Sequence, residues 1–432
     1  MAWPLILANT TTPLLGIVDT AVLGHRSGAV DLAAIALGSL IISFLYWSFG
    51  FLRMTTTGFV AQARGAGDDD EMLAALARPL VVGFFLGTLF VLAQNALSSG
   101  ALKLFEAGQA EESSAARYFA ARIWGAPASL ASLGTTGFLI GMGRTKELLW
   151  VQLITNGLNI VLDVTFVTWG GWGVQGVGWG TAIAEWVGGV VSFLFVASHI
   201  KLRLDSIFWR RVLRKNKIIE AFHANRNVMI RTVALLSGFV FFTNQGAQFG
   251  TCTLATNHVL LQFTAFSAFF LDGFANVAES LVGHAKGARD LEAFRIAIRR
   301  TSEVAVVSAL LLALIVFFFG PSAIDALTNI EEVRSLARSY LPLVALYVAF
   351  SVGAFQLDGI FLGVTGTKSM RNASLWSLAF FILCAYLLIP RYQNFGLWYA
   401  FDLYICARGI TLGALLPQLR RNFAREIAEQ GR

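Results

Sequence analysis

Charge is what this sequence lacks most. Only 14% of its 432 residues are Asp, Glu, Lys or Arg, against about 25% in soluble domains, so the chain cannot clothe a water-facing surface of its size. Cysteine is nearly absent as well. Cys252, Cys384 and Cys406 lie in or beside apolar runs at unrelated spacings, which excludes a disulfide framework or a thiolate metal site and leaves small packing residues. The five histidines, His25, His199, His223, His258 and His284, show no ligand spacing. No His-Glu-x-x-His, Walker loop or Gly-x-Ser-x-Gly is present, which argues against nucleotide-driven pumping within this chain. The first apolar stretch, Leu5 to Leu23, has no basic lead-in and no processing site, so it reads as a retained span and not as a cleaved signal.

What the chain has is apolar length. Hydrophobic residues make up 56%, the mean hydropathy is +0.65, and the apolar residues come in long blocks. Each membrane pass uses about 20 residues. Apolar runs read against Gly, Pro and charge predict spans at 3–24, 31–60, 78–99, 114–141, 147–169 and 176–200. A second set is predicted at 226–249, 253–284, 300–320, 337–363, 372–390 and 394–418. The expected fold is all-α and integral to the membrane: twelve transmembrane helices in two pseudo-symmetric six-helix lobes around a central cavity. The expected divisions are an N-terminal lobe (1–200), a basic connector (201–225), a C-terminal lobe (226–418) and a basic tail (419–432).

The net charge of +7 follows this topology and does not call for nucleic acid. Lys201, Arg203, Arg210, Arg211, Arg214, Lys215 and Lys217 fill the connector, and Arg420, Arg421 and Arg425 the tail. Loops of the other parity are poor in base, and Glu111 and Glu112 are acidic. The positive-inside rule then places both termini in the cytoplasm of a multi-pass protein of the inner (plasma) membrane. The connector also has the composition to meet anionic lipid headgroups.

The halves repeat. Val60-Ala-Gln-Ala-Arg-Gly-Ala-Gly-Asp68 parallels Val282-Gly-His-Ala-Lys-Gly-Ala-Arg-Asp290, and Ile140-Gly-Met-Gly-Arg-Thr-Lys146 parallels Leu362-Gly-Val-Thr-Gly-Thr-Lys368, both at an offset of 222 residues. Two matches at one offset indicate a duplication. Six spans is an even number, so the copies run in the same sense, as in alternating-access carriers.

Several stretches resemble the MATE (multidrug and toxic compound extrusion) transporters, particularly their DinF-like branch. They are Pro13-Leu-Leu-Gly-Ile-Val-Asp-Thr-Ala-Val-Leu-Gly-His25, Asn156-Gly-Leu-Asn-Ile-Val-Leu-Asp163, Leu271-Asp-Gly-Phe-Ala275 and the loop ending at Asp290. The resemblance covers essentially the whole chain. It implies antiport, in which an organic compound leaves as H+ or Na+ enters, with no other cofactor and no enzymatic step.

Ionised side chains at mid-bilayer are costly, so intramembrane carboxylates are the candidates for function. They are Asp19, Asp163, Glu185, Asp272, Glu279, Asp358 and Asp402. Asp19 lies six residues after Pro13, which weakens the first helix by removing a backbone donor. Asn159 and Asp163 are four apart and share a helix face with Asn156, and Thr181 and Glu185 repeat that spacing. Asp272 and Glu279 lie two turns apart, with Glu279 close enough to the cytoplasmic end to reach water. Asp402 is either paired with Arg408 or exposed. Arg53, Arg122 and Arg408 pair with carboxylates or carbonyls, or snorkel to an interface. The 36 phenylalanines face lipid for the most part, and some line a cavity for flat cations.

By resemblance, Asp19, Asn159, Asp163 and Thr181 form the polar cluster that binds the coupling proton, or Na+ if the carrier is sodium-driven (then held by Asp19, Asn159 and Asp163). Asn156, Glu185, Asp272, Glu279 and Asp358 are secondary candidates, and Asp358 matches a carboxy-lobe cation-site aspartate of the NorM-like branch. Thr136 stands where relatives carry an asparagine. The function expected is secondary active export of organic, often cationic and hydrophobic, compounds. Protonation of Asp19 would be coupled to bending at Pro13, in a monomer whose partners are its substrates and the membrane lipids. The alternative is a lipid-linked-precursor flippase of the same superfold, against which the surplus of intramembrane acids counts.

Overall fold

In hydrocarbon every backbone N–H and C=O needs a partner within its own element, which leaves the helix as the solution for a long apolar run. The computed structural model describes residues 2–9, 29–102, 109–200 and 206–430, and no strand occurs among them. Residues 2–9 are helical. After them come α1 (Ala29–Ser48), α2 (Phe51–Gly65), α3 (Asp69–Leu92), α4 (Gln94–Leu102), α5 (Gln109–Arg122), α6 (Ala126–Gly141), α7 (Thr145–Val164), α8 (Gly173–His199) and α9 (Ser206–Val212). The chain continues through α10 (Lys215–Ala247), α11 (Thr251–Gly287), α12 (Leu291–Leu327), α13 (Glu331–Gly363) and α14 (Thr367–Gln430). Two compact units result, Trp3–Ala221 and Phe222–Arg432.

Ten helical stretches among the described residues are long and apolar enough to cross a membrane. The last of them, α14, breaks at Gln393 (φ 51°, ψ −130°) into two helices, each long enough for one pass, so with the opening span expected from the sequence the count is consistent with twelve. Behind the break, Asn394 and Asn257 exchange amide hydrogen bonds of 2.8 and 3.0 Å, and Trp398 Nε1 donates to Asn257 Oδ1 at 2.9 Å. Pro13, Asp19 and His25 lie outside the described residues.

Helix ends differ from those predicted for a physical reason. Apolar runs mark the hydrocarbon-spanning part, whereas capping carries helices further into water. The third span is predicted at 78–99, yet α3 starts at Asp69. Asp68 accepts the Glu71 N–H at 3.0 Å, and Asp69, Asp70 and Glu71 occupy the first turn, a favourable place for carboxylates at a helix N-terminus. Likewise α10 begins at Lys215, inside the stretch read as connector.

The duplication is exact enough to carry individual contacts. Asp290 caps α12 by accepting the Ala293 N–H at 2.8 Å, 222 residues after Asp68 does so for α3. Arg64 donates to the Met142 carbonyl at 2.5 Å, and Lys286 donates to the Val364 carbonyl at 2.9 Å. The turn residues Gly67 (φ 67°) and Arg289 (φ 56°) share the left-handed region. A Cβ at Gly137 would lie 2.5 Å from the Arg53 carbonyl oxygen, and one at Gly359 would lie 2.2 Å from that of Ala275. Only glycine lets these helix backbones meet, a common device where lipid removes the hydrophobic drive between helices.

Candidate functional site

In the first unit the polar residues of α7 and α8 converge. Asn159 and Asp163 follow each other by one helical turn on the α7 face turned inward, with 1% and 0% of their surfaces exposed. The Asn159 amide donates to Asp163 Oδ2 at 2.8 Å and to Thr181 Oγ1 of α8 at 3.1 Å. Thr181 in turn donates to the Val177 carbonyl at 2.8 Å, so its lone pairs face the amide. With both amide hydrogens committed, Asn159 Oδ1 is left as a buried acceptor with no donor among the described residues. The cluster thus gathers the side-chain oxygens of Asn159, Asp163 and Thr181 around one amide group, with Asn159 and Asp163 buried.

Two features that fix this geometry were not read from the sequence. Gly180 lies beside the carboxyl, and a Cβ there would sit 2.1 Å from Asp163 Oδ1. Just after Asp163 the α-helix gives way to a π-helical turn, Thr165–Trp169, a form frequent at functional sites. The missed signal for Gly180 was its place one residue before Thr181.

The other candidates fall in different surroundings. Asn156 is buried on the same stripe. Thr136 is half-buried. One turn beyond Thr181, Glu185 forms a bidentate ion pair with Arg122 at 2.5 and 2.6 Å. The guanidinium carbon lies 5.4 Å from the centre of the Tyr46 ring, and Nη1 reaches the Tyr46 hydroxyl at 3.4 Å. This is the carboxylate pairing expected for Arg122, and it commits Glu185.

In the second unit Asp358 is held by two guanidinium groups. Arg231 Nη2 and Arg408 Nη2 both donate to Asp358 Oδ2, the latter at 2.8 Å, and all three residues are buried. Oδ2 of this carboxylate is thus committed within the protein, while Oδ1 is buried with no hydrogen-bond partner among the described residues. The reading of Asp402 as paired with Arg408 or exposed fails on both counts, because Arg408 serves Asp358 and Asp402 is buried. Glu279 is 1% exposed and does not reach water, since α11 continues for two more turns beyond it. Asp272 is half-buried and accepts the Asn276 amide at 3.2 Å. At the repeat offset of 222, Asn159 and Asp163 correspond to Phe381 and Ala385, both fully buried in an apolar core. The two units share a scaffold, and the first alone carries the α7 polar pair.

Comparison with known proteins agrees with this architecture. The MatE family model matches residues 4–165 and 228–387. The chain is 35% identical over 426 residues to the DNA damage-inducible protein F of Escherichia coli, covering 98% of this chain and 92% of that protein. It is 25% identical to a probable multidrug resistance protein NorM of Listeria innocua, over 91% and 86% of the two. Among solved structures, the Vibrio cholerae MATE transporter VcmN in its bent form superimposes with a TM-score of 0.88 at 20% identity, covering 98% of this chain and 96% of that one. The chain belongs to the MatE family of membrane transporters, in its DinF-like branch, and is not an enzyme.

Proposed function

We propose that the protein exports organic, often cationic and hydrophobic, compounds in exchange for protons, with Asn159, Asp163 and Thr181, together with Asp19, as the coupling site. The observation that carries this reading is the fully buried Asp163 tied by one amide to both its own helix and its neighbour. A carboxyl withdrawn from water is stabilised by neutralisation, whether by a proton or by a bound cation. Neutralising Asp163 weakens its hold on the Asn159 amide, and that amide also ties α7 to α8. Proton arrival is thereby converted into a change of helix contact. In this proposal Asp19 shares the proton, and its helix bends at Pro13 as substrate is released. Both termini lie in the cytoplasm and the protein acts as a monomer. Each charge crossing 100 mV supplies about 2.3 kcal/mol, which supports roughly fifty-fold accumulation.

The test is efflux of a fluorescent cationic dye from proteoliposomes under an imposed pH gradient or an imposed Na+ gradient, for wild type, Asp163→Asn and Asp19→Asn. The expected outcome is transport driven by the pH gradient alone and lost in both variants, with their thermal stability retained. Transport surviving in Asp163→Asn would refute the site. A response to Na+ alone would refute proton coupling, and silence under both gradients would favour a lipid-linked cargo.

A further inference from the structure

Between the sixth and seventh spans the described chain makes a short elbow, formed by α9, Leu213-Arg214 and the first turns of α10. One side of α9 is anchored. Phe208 and Val212, four apart, are buried against Leu73 and Ala74 of α3. Arg78 of α3 donates to the carbonyls of Arg211 and Val212 at 2.8 and 3.1 Å, and Arg211 pairs with Asp68 at 2.8 Å and with Asp70 at 3.4 Å. The elbow is held firmly, so what it presents outward is presented in a fixed arrangement.

That outward face combines two kinds of side chain. Trp209 and Leu213, again four apart, are 44% and 66% exposed, and Ile218 on the next turn is 42% exposed. Interleaved with them are Arg210, Arg214 and Lys215, all exposed. Among the described residues none of these three cations has a carboxylate partner, whereas Lys217 has one in Glu220 at 3.0 Å. In water this face would leave apolar area uncovered next to unneutralised charge. At the edge of a bilayer both are satisfied: an aromatic ring and aliphatic chains enter the acyl boundary while the cations meet phosphate. The elbow lies in the chain between two helices long and apolar enough to cross a membrane, Gly173–His199 and Lys215–Ala247.

We propose that the outward face of this elbow binds the headgroups of anionic phospholipids, and that their binding steadies the cytoplasmic end of α3 through the Arg211–Asp68 and Arg78 contacts. A basic residue close to an anionic surface contributes about fivefold in partitioning, so removing three should weaken binding by tenfold or more.

The experiment uses the full chain in neutral detergent, with thermal unfolding followed while short-chain phosphatidylglycerol, short-chain phosphatidylcholine or inorganic phosphate is added. Wild type should be stabilised by phosphatidylglycerol, and by neither of the others at equal concentration. In R210Q/R214Q/K215Q the half-effective phosphatidylglycerol concentration should rise at least tenfold. A charge-matched control, R420Q/R421Q/R425Q, removes three exposed cations of the tail and should behave as wild type. Trp209→Ala, which keeps all the charges, should weaken the effect to a lesser degree. Equal losses in the elbow and tail variants would overturn the proposal in favour of non-specific charge. Stabilisation by phosphate alone, or an unaltered response in the elbow variant, would overturn it as well.

Discussion

Replacing Gly180 with alanine tests whether the position of the Asp163 carboxyl matters. The added Cβ would lie 2.1 Å from Asp163 Oδ1 and 3.2 Å from its carboxyl carbon. Relieving that overlap needs a retreat of more than about 1 Å, since non-bonded heavy atoms settle near 3.5 Å. Asp163 is fully buried and has no solvent to move into, so the retreat comes at the expense of the 2.8 Å bond from Asn159. Loss of a hydrogen bond to a charged group costs about 1.5–3 kcal/mol, and an off-rotamer side chain adds about 0.5–1.5 kcal/mol. Set against the gain of about 0.5–1 kcal/mol that alanine brings inside a helix, Gly180→Ala should destabilise by about 1–4 kcal/mol and impair pH-driven efflux. The control lies on the same helix. A Cβ at Gly189 meets nothing nearer than 3.6 Å, so Gly189→Ala should gain about 0.5–1 kcal/mol from helix propensity and transport normally. Thermal unfolding and proteoliposome efflux of the two variants decide the matter. If Gly180→Ala unfolds and transports like wild type, the carboxyl does not need the place the structure gives it.

The buried ion pairs make two further predictions. Arg122→Met or Glu185→Leu alone strands a charge and should cost about 3–5 kcal/mol, whereas Arg122→Met/Glu185→Leu should lie closer to wild type than either single variant. Additive losses in the thermal double-mutant cycle would rule out a direct pair. Around Asp358 the order of damage is the informative quantity. Asp358→Asn leaves two buried guanidinium groups without a counter-charge, while Arg231→Met leaves the Arg408–Asp358 pair intact. Asp358→Asn should accordingly have the lower melting temperature, and the reverse order would show that the triad is not what holds these helices.

How far the sequence could be read varies with the range of the interaction. Asn159 and Asp163 are four residues apart, and helical geometry alone puts them in register. That Thr181 completes the set, 22 residues away across a loop, could be argued from family resemblance but not from spacing. Asp358 shows the limit more sharply. On the sequence it is a lone carboxylate in an apolar span and a fair cation-site candidate, yet its partners stand 127 residues before it and 50 after it. Nothing periodic announces either guanidinium, so Asp358 and Arg408 could be placed only by seeing the helices packed. Glu279 is another such case, near the end of its apolar run by sequence and buried by the neighbours of α11.

By itself the sequence determined the helical class, the spans and the internal repeat, because the bilayer imposes a local rule: each apolar run must satisfy its own backbone and the charges must collect between runs. Which carboxylates stay available and which are spent was decided by tertiary structure. An ion pair or a Gly-to-carboxyl contact depends on the approach of helices distant in the chain, and distances of a few ångströms between them carry no signature in residue order.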